Sequence, residues 1–143
     1  MFPAVQHRLK IWKYQRSFAK VNTSYAVDIA ISRMNKRTSD EIEKIKEQSH
    51  WELSLIRDEM DFDVSNYLMA EAHRHLVPIP NGEDDWTESS QLGVRFLSRK
   101  GAKQVRDDIR SEKKAMWDYW VNRVTLVLAL IGSIFGVLAF FKK

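Results

Sequence analysis

Near the C-terminal end lies "VTLVLALIGSIFGVLAFF", residues 124–141, 18 residues without one ionisable side chain. As an α-helix this run is roughly 27 Å long, close to the hydrocarbon thickness of a bilayer. Its only polar residues are Thr125 and Ser133, whose hydroxyls can bond back to their own helix. Trp117, Tyr119 and Trp120 precede it, where an aromatic belt sits, and Arg123, Lys142 and Lys143 can reach the two interfaces. A chain of 143 residues supplies too little apolar surface to bury such a helix on all sides. The run therefore reads as a single-pass transmembrane helix.

Its position rules out a signal peptide, and "MFPAVQHRLKIWKYQRSFAK" at the other end has no apolar core of the secretory kind. The preceding residues are thus expected on the cytoplasmic side. Arg106, Arg110, Lys113, Lys114 and Arg123 before the span, against two lysines after it, favour the same orientation. A helix so late in the chain would insert in the manner of tail-anchored proteins. Gly132 and Gly136, with Ser133 beside them, form a GxxxG pattern that lets two membrane helices approach closely.

The rest of the chain must be built around that span. Few glycines and prolines, 5 and 3, disfavour an all-β chain. With no cysteine, disulfides, thiolate metal sites and cysteine nucleophiles are excluded. Asn22, Thr23 and Ser24 are capping residues ahead of a helical series, Val27, Ile31 and Met34. Thr38 and Glu41 make a second start signal, a capping box, so the chain either breaks near 36–40 or runs through. From there Ile42, Ile45, Ser49, Leu53, Ile56, Met60, Val64 and Tyr67 recur in steps of three and four. The steps repeat every eleven residues, which keeps the stripe on one face of a nearly straight helix. Charged residues fill the other faces, so this is a long amphipathic helix with a packing partner. Trp51 and Phe62 fall off the stripe and widen it or meet a second partner.

Pro78, Pro80 and Asn81-Gly82 stop this helix. A polar, acidic connector follows, in which Trp86 is expected to tuck back onto the helices. "VRFLS" suits a short extended segment, and Ser98 is a good N-cap for a helix starting near Arg99. "FLSRKGAKQV" resembles the strand-to-helix segment of winged-helix domains, which often reads Leu-Thr-x-x-Gly. The resemblance covers about ten residues, and no second strand follows to build a wing, so it is read as helix-entry chemistry. Val105, Ile109, Met116 and Trp120 then recur at helical spacing, and no breaker separates Ala102 from Gly132.

The expected fold is all-α: a long antiparallel helical hairpin, coiled-coil-like, with a C-terminal single-pass transmembrane helix. The divisions are a basic aromatic amphipathic arm at 1–21, a long helical segment at 22–76, the connector at 77–98, a juxtamembrane helix at 99–123 and the span at 124–141. The hairpin is expected to pair residues 40–76 with the helix from 99 onward. Residues 1–50 are then left over, and must fold back, run along the surface or pack on a second chain.

The net charge is +4, and it is concentrated in the first 27 residues, which hold five cations and no acid. Arg8, Lys10, Lys13, Arg16 and Lys20 interleave with Trp12 and Phe18. Val5, Leu9 and Trp12 form one helical series, and Ile11, Tyr14, Phe18 and Val21 another. Such a segment suits a packing helix, an anionic leaflet, a nucleic-acid backbone or a mitochondrial presequence, in that order for packing and lipid over the other two.

Reactive constellations are lacking. His73 and His75 diverge on a helix, Glu47 with His50 is one pair, and the acidic 83–85 run lacks calcium-loop spacing. No phosphate loop, serine elbow or zinc-protease motif occurs. No cofactor, metal or catalytic residue is assigned. The reading is a non-enzymatic, membrane-anchored helical scaffold that self-associates or recruits a helical partner. The alternatives are an oligomeric membrane-perturbing effector and a membrane-tethered nucleic-acid binder.

Overall fold

The computed structural model of the protein describes residues 3–141. It is mostly helical, with three helices: α1 (Pro3–Met34), α2 (Ser39–Arg74) and α3 (Arg99–Phe141), with strands β1 (Trp86–Glu88) and β2 (Arg95–Leu97) before α3.

The chain does break near residue 38. α1 closes through the bonds Lys36 N–H to Arg33 O and Arg37 N–H to Ser32 O, with Lys36 at φ 54°, a left-handed helix stop. α2 restarts at once: Thr38 is its N-cap, and the Thr38 backbone N–H donates to the Glu41 carboxylate at 3.2 Å, as the capping-box spacing demands. α2 ends the same way as α1, with Val77 N–H donating to Ala72 O and Leu76 at φ 55°. The start signal at 22–24 is not used. Thr23 Oγ1 donates to Ala19 O at 2.8 Å within an unbroken helix, so its hydroxyl is absorbed by the preceding turn rather than by a cap. The basic segment 1–21 is thus, over its described residues, the first half of α1.

α1 runs alongside α2 in the opposite direction. His7 stacks on Tyr67 at 3.9 Å, Lys10 and Tyr14 bond Asp63, and Arg57 lies over the Phe18 ring. α2 thus finds its long partner in α1. The expected pairing of residues 40–76 with the helix from 99 onward is confined to the C-terminal part of α2, because the last buried residue of α3 is Ile109, residues 110–137 are all exposed, and Lys113 to Glu71 is the remaining tie. Residues 3–50 are accommodated by folding back, which removes the geometric argument for a second chain.

The core sits where α2, β2 and the first turns of α3 meet: Leu68, Ala72, Val77, Leu97, Ala102, Val105 and Ile109, with Trp86 packed against it. Trp86 Nε1 donates to Pro80 O at 2.9 Å, which fixes the tuck expected of it. β1 and β2 pair antiparallel, Trp86 opposite Leu97 and Glu88 opposite Arg95. The strand at 95–97 therefore does have a mate, upstream rather than downstream, and the fold is not purely α. Its turn docks on a second face of α2. Ser89 Oγ donates to Asp58 at 2.5 Å, Gln91 bonds Ser54, and Ser65 accepts the Leu97 N–H at 2.9 Å.

Candidate functional site

Three surfaces carry the residues singled out by the sequence. The first is the α1–α2 seam. Ile42, Ile45, Leu53, Ile56, Met60, Val64 and Tyr67 are all half-buried. Facing them, α1 presents His7, Ile11, Tyr14, Phe18, Val21, Tyr25 and Ile29, again half-buried, and Ser32, fully buried. Both series step by three and four, so one face of each helix is consumed by the other. Asp63 anchors the polar end of the seam, with Lys10 Nζ at 2.7 Å and the Tyr14 hydroxyl at 2.6 Å. Burial pushes the Asp63 carboxyl up, but those two hydrogen bonds outweigh it and hold it below the usual carboxylate value. The same bond, helped by burial, pushes Tyr14 up to about 12. Tyr25 is pushed up to about 12 by its hydrogen bond to Glu52. Burial lowers His7, against the pull of the Asp63 charge.

The second surface is the outer face of α1. The series Ile11, Tyr14, Phe18 and Val21 turns inward, so the series Val5, Leu9 and Trp12 turns out, each about half exposed. Arg8, Lys13, Arg16 and Lys20 are exposed with it, and the Arg16 guanidinium lies 5.4 Å from the Trp12 ring centre, a cation–π distance. Two residues of the expected anionic-surface set are committed inward instead: Lys10 to Asp63, and Phe18 to the seam under Arg57.

The third surface is the distal part of α3. Trp117 is 69% exposed and Trp120 61%. Tyr119 and Trp120 meet edge to face at 6.4 Å, and Arg123 lies 4.2 Å over the Tyr119 ring. Thr125 Oγ1 donates to Val121 O at 2.8 Å, the back-bond expected of a hydroxyl on such a helix. Gly132 and Gly136 have nothing within 4 Å of where a Cβ would stand, and Ser133 beside them is exposed. Lys142 and Lys143 lie outside the described residues. This helix is long and apolar enough to cross a membrane.

Helix direction links the second and third surfaces. The N-terminal end of α1 is held at Tyr67, and Lys113 of α3 reaches Glu71 at 3.4 Å. α1 therefore begins at the end of the body from which α3 departs.

Among the described residues no group of three or more His, Asp or Glu side chains could hold a metal ion. Glu71 is shared by Arg74, His75 and Lys113, an ion-pair cluster rather than a ligand set. The second docked face of α2, Ser54, Asp58 and Ser65, went unread in the sequence, because small and polar residues carry no hydropathy signal. No known protein family, curated protein or solved structure matches the chain.

Proposed function

We propose that the chain is a non-enzymatic, single-pass membrane protein. Its helical body holds a partner, either another helical protein or a second copy of itself, at the cytoplasmic face. One observation carries this reading: α3 is a single helix that packs into the core as far as Ile109, and then presents only exposed residues through Val137, with no charge from Val124 to Val137. A bilayer covers such a surface without any further protein. The aromatic residues 117, 119 and 120 and Arg123 occupy the interface in this placement. The cations at 106–123 favour a cytoplasmic body. The outer face of α1, with Trp12 among Arg8, Lys13, Arg16 and Lys20, is a second contact for an anionic leaflet, at about 1 kcal/mol per cation near the surface. Self-association uses Gly132, Ser133 and Gly136 within the bilayer.

Fractionation tests the anchor. The full chain should stay in the membrane pellet through alkaline carbonate and enter solution with detergent. Recovery in the carbonate supernatant refutes it. Cross-linking in detergent tests assembly, and a monomer over a wide concentration range would leave only a heterologous partner.

A further inference from the structure

A groove of about 630 Å³ runs between α2, β2 and the first turns of α3, within the range of small-molecule sites. Val64, Phe96, Leu97 and Ala102 supply its apolar lining. Four cations line it, Arg57 from α2 and Arg99, Lys103 and Arg106 from α3. The last three are spaced four and three apart, so they share one helix face. Two carboxylates, Asp58 and Asp61, line the same groove, which leaves it with an excess of positive charge. Among the described residues none of the four cations makes an ion pair with either carboxylate; the Lys and Arg side chains in ion pairs are Lys10, Arg74, Lys100, Arg110 and Lys113, all with other acids. Asp58 instead accepts the Ser89 hydroxyl. Asp61 is pushed up first by burial and then by the Asp58 charge, against the pull of Arg99, Arg57 and Arg106.

The geometry points to a binding site for a nucleoside polyphosphate: the phosphates lie among Arg99, Lys103 and Arg106, the body of the ligand lies on the apolar lining, and Asp61 accepts a hydrogen bond from its hydroxyl or amino groups. Guanidinium groups offer planar, paired donors that match phosphate oxygens. The groove is concave and short, which suits a small ligand. On the membrane placement proposed above, about 16 Å of helix separates Arg106 from the interfacial Trp117, so the test carries a phospholipid arm beside the nucleotide.

The test is calorimetric titration of the full chain in nonionic detergent with ATP and with inorganic triphosphate. Nanodiscs carrying an inositol phospholipid and a short DNA duplex form separate arms. Saturable ATP binding is expected, weakened roughly tenfold or more by Arg99→Gln with Arg106→Gln, while Arg110→Gln, on α3 outside the groove, leaves it unchanged. Triphosphate should bind more weakly than ATP. Circular dichroism checks that each variant is folded. The site is overturned by absent saturable ATP binding at low ionic strength, by equal loss in Arg110→Gln, or by binding confined to nanodiscs or duplex. Equal affinity for triphosphate overturns the role of the lining and Asp61. These outcomes are read independently of fractionation, so the groove and the anchor stand or fall separately.

Discussion

Replacing Gly101 by alanine sets two effects of opposite sign against each other. Gly101 is the third residue of α3, and glycine in a helix costs about 1 kcal/mol relative to alanine. Propensity alone therefore makes Gly101→Ala stabilising. The structure reverses the sign. A Cβ at residue 101 would collide with the carbonyl oxygen of Asp85 and sit 3.1 Å from its Cβ. The obstacle is backbone, so no rotamer relieves it. The 3₁₀ turn at Glu83–Asp85 must move off the start of α3. That loosens the Ser98 N–H to Asp85 O bond at 2.9 Å and the Ser98 hydroxyl to Asp84 O bond at 2.8 Å. Each bond contributes about 1 kcal/mol net, and a buried carbonyl left unpaired costs about 1–3 kcal/mol more. Subtracting the propensity gain leaves a loss of about 2–4 kcal/mol. Urea unfolding of the full chain in mild detergent, followed by far-UV circular dichroism, reads it, and amide exchange at Ser98 should quicken in parallel. An equal or raised midpoint for Gly101→Ala would refute the close approach, and with it the reason why residue 101 is glycine.

Leu76 is 92% exposed at φ 55°, so Leu76→Gly should relieve left-handed strain at no packing cost and raise stability by about 0.5–1 kcal/mol, seen as a higher urea midpoint. Asp63→Asn should cost about 1–2 kcal/mol. Because the folded carboxyl lies below its ordinary 3.8, its contribution is present above that value and fades as pH falls from there through the lower folded one; the Asn variant should lose this part of the acid sensitivity in unfolding curves. Tyr14 and Tyr25 should ionise near 12 rather than 10, so ultraviolet titration of Tyr14→Phe should lose a late-ionising component. With its folded value raised, Tyr14 stabilises below 10, and that contribution drains away as pH climbs from 10 to about 12. Val105 is fully buried, and Val105→Ala should cost about 1–3 kcal/mol in the same urea assay.

What could be read from the sequence was local. The Thr38–Glu41 box, Ser98 as the cap of α3, the stop ahead of Pro78 and the apolar run of residues 124–141 each depend on neighbours within a few positions. The stripe from Ile42 to Tyr67 was readable as a packing face, but not its partner. Both α1 and α3 carry an apolar series at the matching period, and choosing between them depends on contacts such as Asp63 with Lys10 and Tyr14. β1 carries no local signal, because Trp86, Thr87 and Glu88 are strand-like only when Leu97, Phe96 and Arg95 lie opposite. The groove is likewise non-local, since its lining comes from α2, β2 and α3 together. The cap signal at Asn22–Ser24 misled for the converse reason: a hydroxyl that can cap a helix can also bond inside one.

Because α3 continues without a break from the core into the apolar run, its two ends share one angular phase. Val105 and Gly132 are separated by roughly seven and a half turns at 3.6 residues per turn. The glycine face therefore points about half a revolution away from the side that carries the body. Two chains joined through Gly132 and Gly136 would hold their bodies on opposite outer sides of the helix pair, clear of each other. One residue inserted between Arg110 and Arg123 would swing each body by about 100° around that axis.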